Sequence, residues 1–93
     1  MNIRQFICRY EAKHPHSYFF NRETLACFGE KLSAMKVRKT KDGSKYVIIA
    51  KQKGSPYPSQ LAYHVFDAKT LEDIETEYEM ATIVSKYGKL ISA

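Results

Sequence analysis

The side chains that could carry chemistry in this chain are three histidines, two cysteines and a set of dispersed carboxylates. His14 and His16 form an H-x-H step. On an extended backbone this step places both imidazoles on one side, where a third ligand such as His64 could complete a metal site. A histidine that precedes a proline more often lies in a turn than in a metal site. We therefore expect neither a metal nor another cofactor.

Nucleophilic catalysis needs a Ser or Cys beside a His that a carboxylate orients. The only candidates for such a set are Cys27, His64 and Asp67, and they fall on different predicted elements with no motif around them. The chain also lacks a Gly-rich phosphate loop. We therefore predict a protein that is not an enzyme.

Cys8 and Cys27 do not belong to a C-x-x-C step, and two such thiols are typical of a reducing compartment.

The N-terminal third of the chain has the spacing of two helices. Apolar residues recur with helical period over residues 3–13, Asn2 is suited to cap the first turn, and the step from His14 to Pro15 ends the element. Asn21 can cap a second helix over residues 22–34.

From Lys36 the apolar period changes to two, which predicts strands. Asp42 and Gly43 provide the turn of a hairpin, and the unbroken apolar run in its second arm, residues 45–53, indicates the middle strand of a sheet. A third strand is predicted over residues 61–66. Asp67 either caps a helix or opens a turn into a short strand over residues 71–74, and we favour the turn.

The last predicted helix covers residues 75–87. Its apolar stripe is formed by Met80, Ile83, Val84 and Tyr87, and Gly88 stands at the C-cap position. The expected fold is therefore one α+β domain over residues 1–93. It has two N-terminal helices, a small three- or four-stranded antiparallel meander and a closing C-terminal helix.

Composition limits the class of protein. The chain is 44% hydrophobic and 27% charged, as is typical of a soluble globular protein. No stretch approaches the roughly 20 apolar residues of a membrane span, so we expect a cytoplasmic protein that does not act at a membrane.

Charge is segregated along the sequence. Residues 36–53 hold seven basic side chains and one acidic, a charge of +6, and their lysines and arginine could bind phosphates. Lysines near a strand edge also serve to solvate a hairpin, which is the alternative. The predicted nucleic-acid contacts are Lys36, Arg38, Lys39, Lys45, Lys51 and Lys53.

Residues 67–79 hold six acidic side chains and one basic, a charge of −5. If the last helix begins early, Glu72, Glu75 and Glu79 share one of its faces, and such a row can imitate phosphates in a nucleic-acid channel of another protein. A solvated helix face is the alternative. Tyr57 is a further candidate contact, either for a partner or for self-association.

Two patterns resemble a known group of proteins. They are S-Y-F-F-x-R-x-T-L-x-x-F-G at residues 17–29 and F-D-x-x-T-L at residues 66–71. The chain resembles short, functionally uncharacterised proteins of bacteriophages and related mobile elements. Small proteins of this kind commonly act by binding. The resemblance thus implies an anti-CRISPR or other anti-defence inhibitor that docks on a host protein or nucleoprotein, such as a defence nuclease complex. A nucleic-acid-binding accessory protein that uses the basic hairpin is the alternative, and the oligomeric state stays open.

Overall fold

A computed structural model of the chain describes residues 1–16, 35–51 and 61–93. The second predicted helix, over residues 22–34, lies outside the described residues. The described elements are, in chain order, α1 (Ile3–Lys13), β1 (Lys36–Thr40), β2 (Lys45–Lys51), β3 (Leu61–Asp67), β4 (Asp73–Glu77), α2 (Met80–Tyr87) and β5 (Leu90–Ser92).

The five strands form one antiparallel sheet in the order β4-β3-β2-β1-β5. The strand β2 is central, which confirms the prediction made from its unbroken apolar run. Four antiparallel pairings separate β4 from β5, so these two edge strands run in the same direction. The connection between them through α2 is therefore a crossover from one edge of the sheet to the other.

The predicted fold class is wrong in its layout. The described sheet has five strands instead of three or four, and the last helix does not close the fold, because it is followed by β5, which pairs with β1. Residues 75–77, expected to be helical, belong to β4. The reason is the period-two alternation of Asp73, Ile74, Glu75, Thr76 and Glu77, whose β-branched residues suit a strand that pairs with β3.

The first helix forms as predicted. Asn2 Oδ1 accepts a hydrogen bond from the Gln5 backbone N–H and Gln5 Oε1 accepts one from the Asn2 N–H, both at 2.9 Å, which completes a capping box. The helix ends at His14, whose backbone N–H donates to the Tyr10 carbonyl. The His14 ring then donates from Nε2 to the Thr70 carbonyl at 2.8 Å, and this bond ties α1 to the turn between β3 and β4.

The hairpin predicted at Asp42 and Gly43 joins β1 to β2. Gly43 has a φ of 74°, a conformation that glycine adopts without strain. The Asp42 carboxylate accepts hydrogen bonds from the Thr40 hydroxyl at 2.6 Å and from the Ser44 N–H at 2.9 Å. These bonds hold the pKa of Asp42 down to about 2, with the Thr40 bond as the largest cause.

Residues 67–70 form the turn that we favoured over a helix start. Asp67 Oδ1 accepts from the backbone N–H groups of Lys69 and Thr70, both at 2.9 Å. Leu71 follows with a φ of 58° and a fully buried side chain. Burial of Leu71 offsets the cost of the left-handed backbone at a residue with a side chain.

Each face of the sheet is covered by one described helix. Alternation along β2 places Ile48 on one face and Val47 on the other. On the first face Phe6 of α1 packs edge-on against Phe66, with ring centroids 5.0 Å apart. On the second face Ile83 of α2 packs in a cluster with residues of β2 and β3. The first cluster contains Ile3, Phe6, Tyr10, Met35, Val37, Ile48, Ala50, Phe66 and Leu71, and the second contains Val47, Tyr63, Val65 and Ile83.

Candidate functional site

The acidic residues of the 67–79 segment lie on three different elements. Glu72 is in the turn before β4, Glu75 is on β4, and Glu79 is the N-cap residue of α2. The prediction that these three glutamates share a helix face is therefore wrong. The helix begins after the acidic run instead of within it, so the run follows the outer edge strand of the sheet.

Two of the strand carboxylates hold α2 in place. Lys86 Nζ lies 3.1 Å from a carboxylate oxygen of Glu75 and 3.1 Å from one of Glu77. The Tyr87 hydroxyl donates to Glu75 at 2.7 Å. This hydrogen bond, followed by that of Lys86, lowers the pKa of Glu75, while the bond to Glu77 is the largest cause that raises the pKa of Lys86. Glu75 and Glu77 thus have a structural role.

Glu72 and Glu79 are exposed at either end of β4. Among the described residues, no cation lies within ion-pair distance of either carboxylate. The partner-binding prediction named Glu72, Glu75 and Glu79 together. The geometry separates them into one that is bonded to α2, Glu75, and two that face solvent.

The same region exposes large apolar side chains, and two of them belong to the apolar stripe predicted for the last helix. Met80 and Val84 of the predicted stripe are 42% and 43% exposed, whereas Ile83 is fully buried. Tyr78 and Ile74 are each 45% exposed. The sequence does indicate an exposed apolar surface on this helix, because Lys86 is the only charged residue between Met80 and Tyr87. A helix with one charged residue leaves much of its solvent side uncharged.

The basic side chains of the hairpin divide between the two faces of the sheet. Lys36 and Arg38 alternate with Val37 and share the α2 face, whereas Lys39 pairs with Tyr46 on the α1 face. Lys45 lies 3.7 Å from a carboxylate oxygen of Asp67. Lys51 pairs with Leu61 at the end of β2, while Lys53 and Tyr57 lie outside the described residues.

The side chains that were weighed as metal ligands or catalytic residues are not brought together in the part of the chain that is described. The ring of His14 is bonded to Thr70, and His16 is exposed. His64 is buried in β3 and its Nδ1 lies 3.0 Å from the Thr76 hydroxyl. Within residues 1–16, 35–51 and 61–93 no three His, Cys, Asp or Glu side chains form a group able to hold a metal ion. Cys8 is exposed and Cys27 lies outside the described ranges.

Comparisons with protein-family models, with curated proteins and with solved structures each find no match to this chain. Across the described residues no helix has the length and apolar character needed to cross a membrane.

Proposed function

We propose that this chain is a non-enzymatic binding protein of a phage or mobile element that docks on a host protein or nucleoprotein, as an anti-CRISPR or other anti-defence inhibitor would. The observation that carries the proposal is the line of carboxylates along β4 and the start of α2. Residues 72–79 contain five acidic side chains and no basic one. A surface of this kind is complementary to a basic protein surface, such as one that binds nucleic acid.

The exposure of Glu72 and Glu79, at the two ends of residues 72–79, supports a role in partner binding. Glu72 and Glu79 face solvent, and no cation among the described residues lies within ion-pair distance of either, so their charges are available to a partner. Glu75 and Glu77 are already bonded to Lys86. We therefore assign partner attraction to Glu72 and Glu79, and the positioning of α2 to Glu75 and Glu77.

The test is a charge reversal at the two exposed glutamates, Glu72→Lys with Glu79→Lys. Glu75 is left intact because a lysine there would face Lys86 and loosen α2. A host protein captured by the wild-type chain is purified, and its affinity for each variant is measured by calorimetric titration. We expect binding at least about tenfold weaker for the double variant, because opposite charges across the interface become like charges.

The matched control is Glu11→Lys, which makes the same change at an exposed glutamate of α1, outside the acidic segment. Its affinity should equal that of the wild type. If the captured protein is a nuclease, the wild-type chain and the control should slow its cleavage and the double variant should not. Unchanged affinity of the double variant for the captured protein would contradict the proposal.

Direct nucleic-acid binding through the hairpin is the second candidate. Lys36 and Arg38 share one face of β1, and among the described residues no carboxylate lies within ion-pair distance of either. Of the four predicted basic residues whose side chains are described, Lys39 faces the other way and Lys45 is paired with Asp67, which leaves two for phosphate contacts. Within the described residues, this candidate therefore depends on a small part of the predicted basic surface.

Its test is a fluorescence-anisotropy titration of labelled DNA and RNA over a range of salt concentrations. Each phosphate contact adds about −0.9 to the slope of log affinity against log salt. Two contacts predict a slope of about −2, whereas all six predicted basic residues would give about −5. The steeper slope, with binding retained at physiological salt, would favour nucleic acid as the target and overturn the docking proposal.

A further inference from the structure

The solvent side of α2 is uncharged. Lys86, its single charged residue, is bonded to the carboxylates of β4. By helical geometry Ala81 and Ser85 lie opposite the buried Ile83, and both are exposed. Helices on the surface of a protein usually place charged residues on this side, and α2 has none there.

Large apolar side chains border this uncharged side. Met80 and Val84 are one turn apart, so their side chains are neighbours on the helix. Each is more than 40% exposed, as is Tyr78, which lies two residues before Met80. Exposed apolar groups that cluster in this way mark interaction sites, and Met and Tyr are enriched in protein interfaces. We refer to Tyr78, Met80 and Val84 as the α2 patch.

The charges around the α2 patch indicate which kind of protein can bind there. Glu79 lies between Tyr78 and Met80 in sequence and is exposed, and the acidic strand β4 precedes it. A second copy of this chain docked by the same patch would bring two sets of carboxylates together, which opposes association. A partner with lysine or arginine beside an apolar surface complements both the charge and the apolar groups.

We infer that the α2 patch binds an amphipathic basic segment of a protein partner, in which apolar side chains cover Met80 and Val84 and flanking lysines or arginines approach Glu79. The inference rests on the proposed function and specifies the partner surface. It adds Tyr78, Met80 and Val84 to the residues predicted to bind, and it gives α2 a binding role.

The probe is an amphipathic peptide of about 18 residues made of leucine and lysine at helical spacing, added to the full ¹⁵N-labelled chain and followed by NMR. We expect shift changes concentrated at residues 78–85. Since the chain carries a net charge of +5, a cationic peptide has no general electrostatic attraction to it. The same peptide with glutamate in place of lysine should not bind.

The variant is Met80→Ser with Val84→Ser, which removes apolar surface without adding charge, and it should weaken the peptide affinity at least about tenfold. Ile74→Ser is the matched control, because Ile74 is equally exposed but alternates along β4 with Glu75, which bonds to α2, and so lies on the opposite face of the strand. Its affinity should stay within about twofold of the wild type. Amide spectra of both variants report whether the fold is retained.

Two results would overturn the inference. One is an absence of peptide binding, or shift changes centred outside residues 78–85. The other is self-association in sedimentation velocity that the Met80→Ser and Val84→Ser variant abolishes, since the patch would then serve a second copy. The wild-type chain could fail to bind the peptide while the Glu72→Lys and Glu79→Lys variant still binds the captured host protein more weakly than the wild type does. That outcome would remove this inference and leave the proposed function standing.

Discussion

Asp42 and Asp67 act in the same way at two turns of the sheet. Each carboxylate accepts a hydrogen bond from a backbone N–H two residues later, and each has a lowered pKa. The Asp42-Gly43 pair made the first turn predictable. At Asp67 the sequence allowed both a helix cap and a turn, because the same side-chain bond begins either structure. The pairing of β3 with β4 decides between them.

The most testable group at this scale is His64. Burial lowers its pKa from 6.5 to about 4, so between these pH values the unfolded chain binds a proton that the folded chain does not. The free energy of unfolding contributed by neutral His64 is fully present above pH 6.5 and is lost as the pH falls towards 4. We expect a loss of up to about 3 kcal/mol over this range, measured by urea unfolding at several pH values.

The control is His64→Gln, in which the residue no longer titrates. Only the pH dependence of its stability is compared with that of the wild type. The carboxylates titrate in both proteins, so their contribution to the pH dependence cancels in this comparison. Parallel pH profiles of the two proteins between pH 6.5 and 4 would contradict the buried neutral state of His64.

At the scale of elements, α2 differs most from its prediction. The sequence predicted its existence and its C-cap correctly, because Gly88 follows the last turn with a φ of 82° and its N–H donates to the Val84 carbonyl. The predicted helix began five residues too early. In the shorter helix Ile83 packs on the sheet, while Met80 and Val84 extend to solvent. Periodicity identifies an apolar stripe but not how much of it another element covers.

Because Ile83 is buried and Val84 is exposed, substitutions at these neighbouring positions should change the free energy of unfolding by unequal amounts. Ile83→Ala removes a fully buried side chain that packs with Val47 and Val65, so we expect a loss of about 2–4 kcal/mol in the free energy of unfolding. Val84→Ala shortens an exposed side chain and should cost less than about 0.5 kcal/mol. Chemical unfolding of both variants is the measurement, and equal losses would show that α2 packs on the sheet in another orientation.

At the scale of the whole molecule, the charge segregation in the sequence becomes a separation across the sheet. The carboxylates of β4 lie three strand spacings, or about 14 Å, from Lys36 and Arg38 on β1. The sequence predicted each charged segment but not this distance. Pairings such as that of β5 with β1 join residues distant in sequence, which local spacing does not encode.

The central claim is that partners bind through the acidic edge and α2 instead of through the basic hairpin. The most direct measurement is NMR cross-saturation from the purified host partner to the ²H,¹⁵N-labelled chain in their complex. We predict that signal loss will be concentrated in residues 72–85, with little loss at Lys36 and Arg38. Loss centred on β1 and β2, with residues 72–85 unaffected, would contradict the claim.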